Sequence, residues 1–87
     1  MDDITPRWRA ELGIRDKTGA LVTNVASGSL AEEAGLQTGD IIKELNHQPV
    51  NSARDFYEAL NKTEHETSLL LLIKRSGQTF YISIRTS

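Results

Sequence analysis

The sequence predicts an α+β fold in which a small, partly closed antiparallel sheet is capped by two to three helices. Helical segments alternate with short strand-like runs through most of the chain. Two longer strand-like runs, residues 67–74 and 78–85, follow and are joined at Arg75-Ser76-Gly77, where glycine supplies the positive φ of a hairpin turn. With 87 residues, the chain fits a single domain, residues 1–87, with one modest core.

The first helix is predicted to begin after Thr5 and to end at Gly13. Threonine is a good N-cap, and Pro6 suits the first turn because its missing N–H would have no helical partner there. Glycine at the far end is a common C-terminal stop. Three apolar residues recur at helical spacing and form one stripe: Ile4, Trp8 and Leu12.

A strand, a short helix and a second strand are predicted next. Branched residues favour a strand over Ala20–Ala26. Ser29 and Glu32 have the spacing of a capping box, and Gly35 ends the short helix that they begin. The pieces that follow are a strand at residues 40–45, a turn at Asn46-His47 and a short extended segment at residues 48–50.

The third predicted helix has two distinct faces. Ser52 is placed to cap it, it covers residues 53–61, and Asp55 in its first turn favours the positive end of the helix dipole. Three residues have the spacing of a core face: Phe56, Ala59 and Leu60.

Ala53 and Tyr57 form a neighbouring line on this helix, turned partly away from the core. A small residue followed by an aromatic one on a half-exposed face can border a groove. Tyr57 can equally lie over the edge of the core with its hydroxyl in water. The residues alone leave both interpretations open.

Composition excludes several classes of function. The formal net charge is −2, from 10 basic and 12 acidic residues, and Lys74-Arg75 is the one adjacent basic pair. Scattered cations do not suit a phosphate backbone, so nucleic acid is not expected as a partner. The absence of cysteine excludes disulfides, thiol catalysis and a thiolate metal site. The longest apolar run, Leu69–Ile73, is far short of a membrane span.

Catalytic, metal and cofactor sites are not indicated either. His47 and His65 are the available imidazole bases, and we interpret both as solvated loop residues. The acidic clusters Glu32-Glu33 and Glu64-His65-Glu66 are sequence neighbours, which rarely converge on one metal ion. The glycines form no phosphate-binding pattern, so no cofactor is expected.

A series of motifs runs along nearly the whole chain: Gly19-Ala20-Leu21-Val22, Val25, Gly28-Ser29, Ala31, Ala34-Gly35-Leu36, Gly39-Asp40-Ile41-Ile42, Leu45-Asn46, Pro49-Val50, Asp55-Phe56 and Ala59-Leu60. Together they resemble bacterial-type PDZ domains, and above all the PDZ domains of HtrA/Deg serine proteases. The opening Ile4-Thr5-Pro6 and the helix ending in Leu12-Gly13-Ile14 resemble the same subfamily. The short remainder after Ile84 suggests the second, C-terminal PDZ domain of such a protease.

Three departures from the family pattern are visible. Leu30 stands where proline is usual, and His47 stands where glycine usually follows asparagine. In the family, an apolar-Gly-apolar loop holds the peptide carboxylate, and the strand after it pairs with the peptide. Both precede the Ile4-Thr5-Pro6 segment, where this chain has only Met1-Asp2-Asp3, so we expect half of the groove to be missing. Leu12-Gly13-Ile14 has the right residues for the loop, but its position favours a helix end.

The resemblance implies a non-catalytic module that recognises apolar C-termini or unfolded segments by β-augmentation and regulates a protease or its assembly. Matched positions make Ala53, Tyr57 and Leu60 the helix wall, with Leu60 against the terminal side chain. Leu12-Gly13-Ile14 is the alternative carboxylate loop.

The resemblance also implies a parent serine endopeptidase, neighbouring domains or subunits as partners, and an extracytoplasmic location, in the periplasm or cell envelope. Two alternatives stay open. One is a structural docking or oligomerisation domain that binds no free peptide. The other is a PDZ domain of a different protease or of a secretion scaffold.

Overall fold

The computed structural model describes residues 2–63 and 66–85. Six strands and three helices lie in these residues, which confirms the predicted α+β class. In chain order they are β1 (Asp2–Asp3), α1 (Pro6–Leu12), β2 (Ala20–Leu21), α2 (Leu30–Ala34), β3 (Ile41–Leu45), β4 (Gln48–Pro49), α3 (Ala53–Asn61), β5 (Ser68–Arg75) and β6 (Gln78–Arg85). None of the helices described has the length and apolar character needed to cross a membrane.

The strands form one antiparallel sheet that does not close. Its order is β1-β2-β3-β5-β6, and β4 pairs with β3 beside this path. β5 and β6 form the longest pair, in unbroken register from Ser68 opposite Arg85 to Arg75 opposite Gln78. The sheet therefore has two ends, β1 and β6, within the part of the chain that the structure describes.

The helix caps are where the sequence predicts them. Each N-cap hydroxyl accepts the backbone N–H of the residue three positions later, at 3.1–3.2 Å. The three caps are Thr5, Ser29 and Ser52. Gly13 and Gly35 end the first two helices in the left-handed conformation, with φ of 67° and 98°. These short helices are thus defined by local hydrogen bonds more than by their intrinsic propensity.

The strand predicted over Ala20–Ala26 is wrong in its length, because β2 covers only Ala20–Leu21. Val22 still exchanges hydrogen bonds with the chain opposite. Its N–H donates to the Asp40 carbonyl at 2.9 Å, and its own carbonyl accepts from the Gly39 N–H at 2.8 Å. The chain before Gly39 comes from α2, so no strand of the described residues lies opposite the residues after Val22. Their branched side chains favour a strand that lacks a partner.

Two turns hold consecutive residues at positive φ. Ser76 and Gly77 (φ 50° and 82°) join β5 to β6, and Asn46 and His47 (φ 50° and 67°) join β3 to β4. Positive φ at both central positions is the mark of a type I′ hairpin turn. Asn46 is also tied to β5, since its N–H donates to the Leu70 carbonyl at 2.7 Å and its side-chain oxygen accepts the Leu70 N–H at 2.8 Å.

The main core lies between one face of the sheet and α3, which packs on β2 and β3. Its deepest members are Ala20, Ile42, Leu45, Val50, Leu71 and Ile73. Leu21 and Ile41, which pair across β2 and β3, are buried too but point by strand alternation to the other face. The stripe predicted on α1 is only partly covered, because no residue of that helix is buried and Leu12 is exposed.

Candidate functional site

Helix α3 presents the two faces that its sequence predicts. Phe56 is buried in the core, and Ala59 and Leu60 are partly buried against it. Ala53 is half-buried, whereas the Tyr57 side chain is 49% exposed. The rings of Phe56 and Tyr57 meet edge to face, with centroids 5.6 Å apart and planes at 72°. This contact anchors the base of Tyr57 while half of its surface stays available.

Strand β1 lies beside this helix at one end of the sheet. It pairs with β2, with Asp2 opposite Leu21 and Asp3 opposite Ala20. No strand among the described residues pairs with its other edge. An unpaired strand edge beside a helix with an exposed aromatic side chain is the geometry that receives an additional extended segment.

A hydrogen bond joins β1 to α3. The Asp3 carboxylate accepts the backbone N–H of Ala53, the first residue of α3, at 2.8 Å. A carboxylate at a helix N-terminus is stabilised by the free N–H groups and by the helix dipole. Asp55 takes a related role, since its carboxylate accepts the Asn51 N–H at 3.0 Å. The Asp3 contact spans 50 positions of sequence, and no local pattern could have predicted it.

The structure does not bring Leu12-Gly13-Ile14 together with the α3 residues. Gly13 caps α1, and its N–H donates to the Arg9 carbonyl, so the preferred interpretation as a helix end is confirmed. The three residues line a cavity of about 590 Å³ whose lining includes no residue of α3. The other walls are Arg15 and Asp16, residues 37–41, and the β5–β6 turn from Lys74 to Gly77. The carboxylate-loop role of these three residues stays a prediction.

Asp16, in the lining of this cavity, forms two ion pairs. The Asp16 carboxylate accepts hydrogen bonds from Lys43 Nζ at 2.9 Å and from Lys74 Nζ at 2.8 Å. Burial of Asp16 alone would raise its pKa, but the hydrogen bonds from Lys74 and Lys43 outweigh it and lower the pKa below its ordinary value. The carboxylate thus clamps the chain before β2 to strands β3 and β5.

A second ion pair lies deeper at the same place. Asp40 is 1% exposed, and both of its carboxylate oxygens bind Arg75, at 2.7 Å from Nε and 2.6 Å from Nη2. The Gln37 N–H adds a third hydrogen bond to this carboxylate at 2.9 Å. Arg75 also donates to the Gly35 carbonyl at 3.0 Å and lies over the Phe80 ring, 4.9 Å from its centroid. Both carboxylates of the cavity lining, Asp16 and Asp40, are therefore paired with cations.

The surroundings of His47 and of the acidic side chains can be described for residues 2–63 and 66–85. His47 meets the ring of Tyr81 edge-on at 6.2 Å, and no hydrogen bond links it to a serine or threonine hydroxyl of residues 2–63 and 66–85. In the same residues, no three His, Asp or Glu side chains cluster as metal ligands. Glu64 and His65, from the loop predicted at residues 62–66, lie outside the described residues.

Comparison with known proteins finds similar domains. The PDZ domain family model matches residues 5–86. Serine endoprotease DegS of Haemophilus influenzae is 29% identical over 76 residues, covering 87% of this chain and 22% of that protein. A probable periplasmic DegP-like serine endoprotease of Rhizobium meliloti is 30% identical over 81 residues, covering 93% of this chain and 16% of that protein. The chain thus spans less than a quarter of the length of these curated relatives.

Solved structures show the same fold. The PDZ domain of HtrA3 bound to a phage-derived ligand, FGRWV, gives a TM-score of 0.79 at 31% identity, covering 97% of this chain and 76% of that chain. The HtrA-type protease AlgW with a decapeptide gives a TM-score of 0.80 at 22% identity, covering 98% of this chain and 26% of that chain.

Proposed function

Because the chain belongs to the PDZ domain family, in the branch found in HtrA/Deg serine proteases, we propose that it binds extended peptide segments between β1 and α3. The observation that carries the proposal is the free edge of β1 next to a half-exposed Tyr57. The relative HtrA3, whose PDZ domain binds a peptide ending in valine, supports an apolar C-terminus as the ligand.

In this proposal the peptide adds a strand to the edge of β1. Because β1 has only two residues, it offers few main-chain hydrogen bonds, and the side-chain contacts with α3 provide most of the affinity. Leu60 contacts the terminal apolar side chain, and Tyr57 and Ala53 contact the residues before it. Burial of a terminal Leu, Val or Phe contributes about 1.5–3 kcal/mol, and each main-chain hydrogen bond adds about 0.5–1.5 kcal/mol net. After the cost of ordering the peptide, we expect an affinity no tighter than about 1 μM.

The wider role is also a proposal. The DegP-like and DegQ relatives are named as periplasmic, which supports an extracytoplasmic location for this chain. Within a parent serine protease, peptide capture here would deliver unfolded substrates or set the contacts between subunits. The chemistry of proteolysis would then belong to a different part of the parent protein.

Amide-shift NMR with the peptide FGRWV tests the site directly. We expect shifts concentrated on residues 53–60 and on β1. Tyr57→Ala should weaken binding about five- to thirtyfold, which corresponds to the loss of roughly 1–2 kcal/mol of contact. Tyr81→Ala is the matched control, because it removes the same side chain at similar exposure outside the groove.

Three other outcomes would change the assignment. Unchanged affinity in Tyr57→Ala would remove Tyr57 from the groove. Shifts confined to Leu12-Gly13-Ile14 and the cavity around them would favour the alternative carboxylate loop. No shifts with several millimolar peptide would favour a docking domain that contacts its own protease.

A further inference from the structure

The far end of the sheet carries a second unpaired edge. In the register of β5 and β6, the residues on either side of the two-residue turn, Arg75 and Gln78, form a hydrogen-bonded pair. Alternation then directs the backbone groups of even-numbered β6 residues toward β5. Leu70, which lies opposite Ser83, agrees with this assignment, because its carbonyl points away from β6 and accepts a hydrogen bond from the Asn46 N–H. The backbone groups of four β6 residues consequently face outward: Thr79, Tyr81, Ser83 and Arg85.

These outward groups have no partner in residues 2–63 and 66–85. Natural edge strands are commonly protected by proline, lysine, a bulge, an inward charge, or a covering helix or loop. β6 has none of the first four, since its sequence is Gln-Thr-Phe-Tyr-Ile-Ser-Ile-Arg and its register is continuous. Helix α2 packs against β6 but forms no backbone hydrogen bond with its outward groups. Six consecutive residues of it, 79–84, combine aromatic and β-branched side chains with no charge, which favours pairing with another strand.

Apolar surface flanks this edge. Tyr81 is 55% exposed on the open face of the sheet, opposite the half-buried Leu72 and in contact with the His47 ring. Helix α2 packs against β6 and leaves Leu30 51% exposed. Both residues are large, apolar and uncovered on elements remote from β1. The proposed peptide groove makes no use of either.

We propose that β6 pairs antiparallel with β6 of a second copy of this chain about a two-fold axis. Centred on Ile82, the pairing places Tyr81 beside Ser83 of the second copy, and Thr79 beside Arg85 of the second copy. All four outward residues of both strands then exchange hydrogen bonds, as a self-complementary interface requires. The two Arg85 side chains lie at opposite ends, roughly 20 Å apart at ~3.3 Å per residue, and do not repel each other.

The occupant follows from this symmetry. A second copy satisfies every outward group and places Arg85 beside Thr79 rather than beside a second cation. The β1 edges remain free in the dimer, because they lie at the opposite end of each sheet. The dimer therefore stands independently of peptide binding, and each can fail without the other.

Sedimentation equilibrium over a concentration series tests the pairing. We expect the apparent mass to rise from 9.7 kDa toward twice that value, with a dissociation constant on the order of 0.1–1 mM. Tyr81→Lys brings cations next to the partner strand and should weaken association at least about tenfold. Ser83→Pro removes an outward N–H without breaking a bond to β5, and should act in the same direction. Tyr57→Lys, at similar exposure on α3, is the control and should leave association unchanged.

Amide hydrogen exchange locates the interface within the strand. As concentration rises, protection should increase at Thr79, Tyr81 and Ser83, while Phe80 and Ile82 stay protected throughout. A mass that stays at the monomer value up to about 2 mM would overturn the proposal, as would equal weakening by Tyr57→Lys. A free peptide that shifts the outward β6 amides of a monomeric chain would replace the second copy with an extended peptide as the occupant.

Discussion

Removal of Arg75 should be costly because it leaves the Asp40 carboxylate buried without its counter-ion, and Arg75→Met measures this cost. Methionine keeps much of the aliphatic stem but removes both hydrogen bonds to the Asp40 carboxylate and the one to the Gly35 carbonyl. The carboxylate, 1% exposed, is left with the Gln37 N–H alone. A buried charge without its counter-ion is costly because the protein interior solvates it poorly.

Breaking a fully buried pair by removing one partner costs about 3–5 kcal/mol. The Arg75 side chain is 31% exposed, so water can enter the space it leaves and reduce the cost. We therefore expect the free energy of unfolding to fall by about 2–4 kcal/mol. A chain of 87 residues has a total stability of roughly 4–13 kcal/mol, so the variant loses a large share of it.

Urea denaturation followed by circular dichroism gives this number. Arg54→Met is the matched control, because the Arg54–Glu58 pair is exposed on both sides and should contribute less than about 0.5 kcal/mol. Asp40→Asn and the double variant complete a cycle, in which we expect the double change to cost less than the sum of the single changes. A loss below about 1 kcal/mol in Arg75→Met would refute the reasoning, since hydration would then replace the guanidinium fully.

Three further changes have defined outcomes. Asp16→Asn should destabilise the chain at pH 7. The difference in unfolding free energy from wild type should shrink as the pH falls below the ordinary carboxyl pKa of 3.8, because the lowered pKa of Asp16 means that the fold is stabilised only by the ionised form. Urea denaturation at pH 7 and at pH 3 checks this. Ser29→Ala should lower the unfolding free energy by about 1 kcal/mol through loss of the α2 cap, and an unchanged urea midpoint would contradict it. Ser76→Asn should raise the thermal midpoint slightly, since asparagine tolerates the left-handed φ of 50° better, and a lowered midpoint would count against the turn assignment.

Features that depend on near neighbours in the chain could be predicted from the sequence. Thr5, Ser29 and Ser52 each bond a backbone group three residues away, so the residue type and its spacing carry the whole signal. The hairpin at Ser76-Gly77 is equally local. The face of α3 follows from helical periodicity, which places Phe56 in the core.

Features that depend on distant segments of the chain could not be predicted from the sequence. The length of β2 is set by where the opposite chain turns, at Gly39, and not by the branched residues after Val22. Arg75 finds Asp40 across 35 positions, and Lys74 finds Asp16 across 58. A charged residue in a sequence does not indicate which distant residue it will pair with, because charged side chains are tolerated at most exposed positions. The candidate groove is divided in the same way, since its helix side was predictable and its contact with β1 was not.

The bond from the Ala53 N–H to Asp3 makes the first strand and the groove helix a linked pair. If β1 detaches, the N-terminus of α3 becomes exposed to solvent. A peptide bound along both β1 and α3 opposes that detachment. By thermodynamic linkage, occupancy of the groove should therefore slow solvent exchange at Ala53 by the factor that binding adds to stability. The exchange rate of a single backbone amide, that of Ala53, would then report the fraction of domains that have peptide bound.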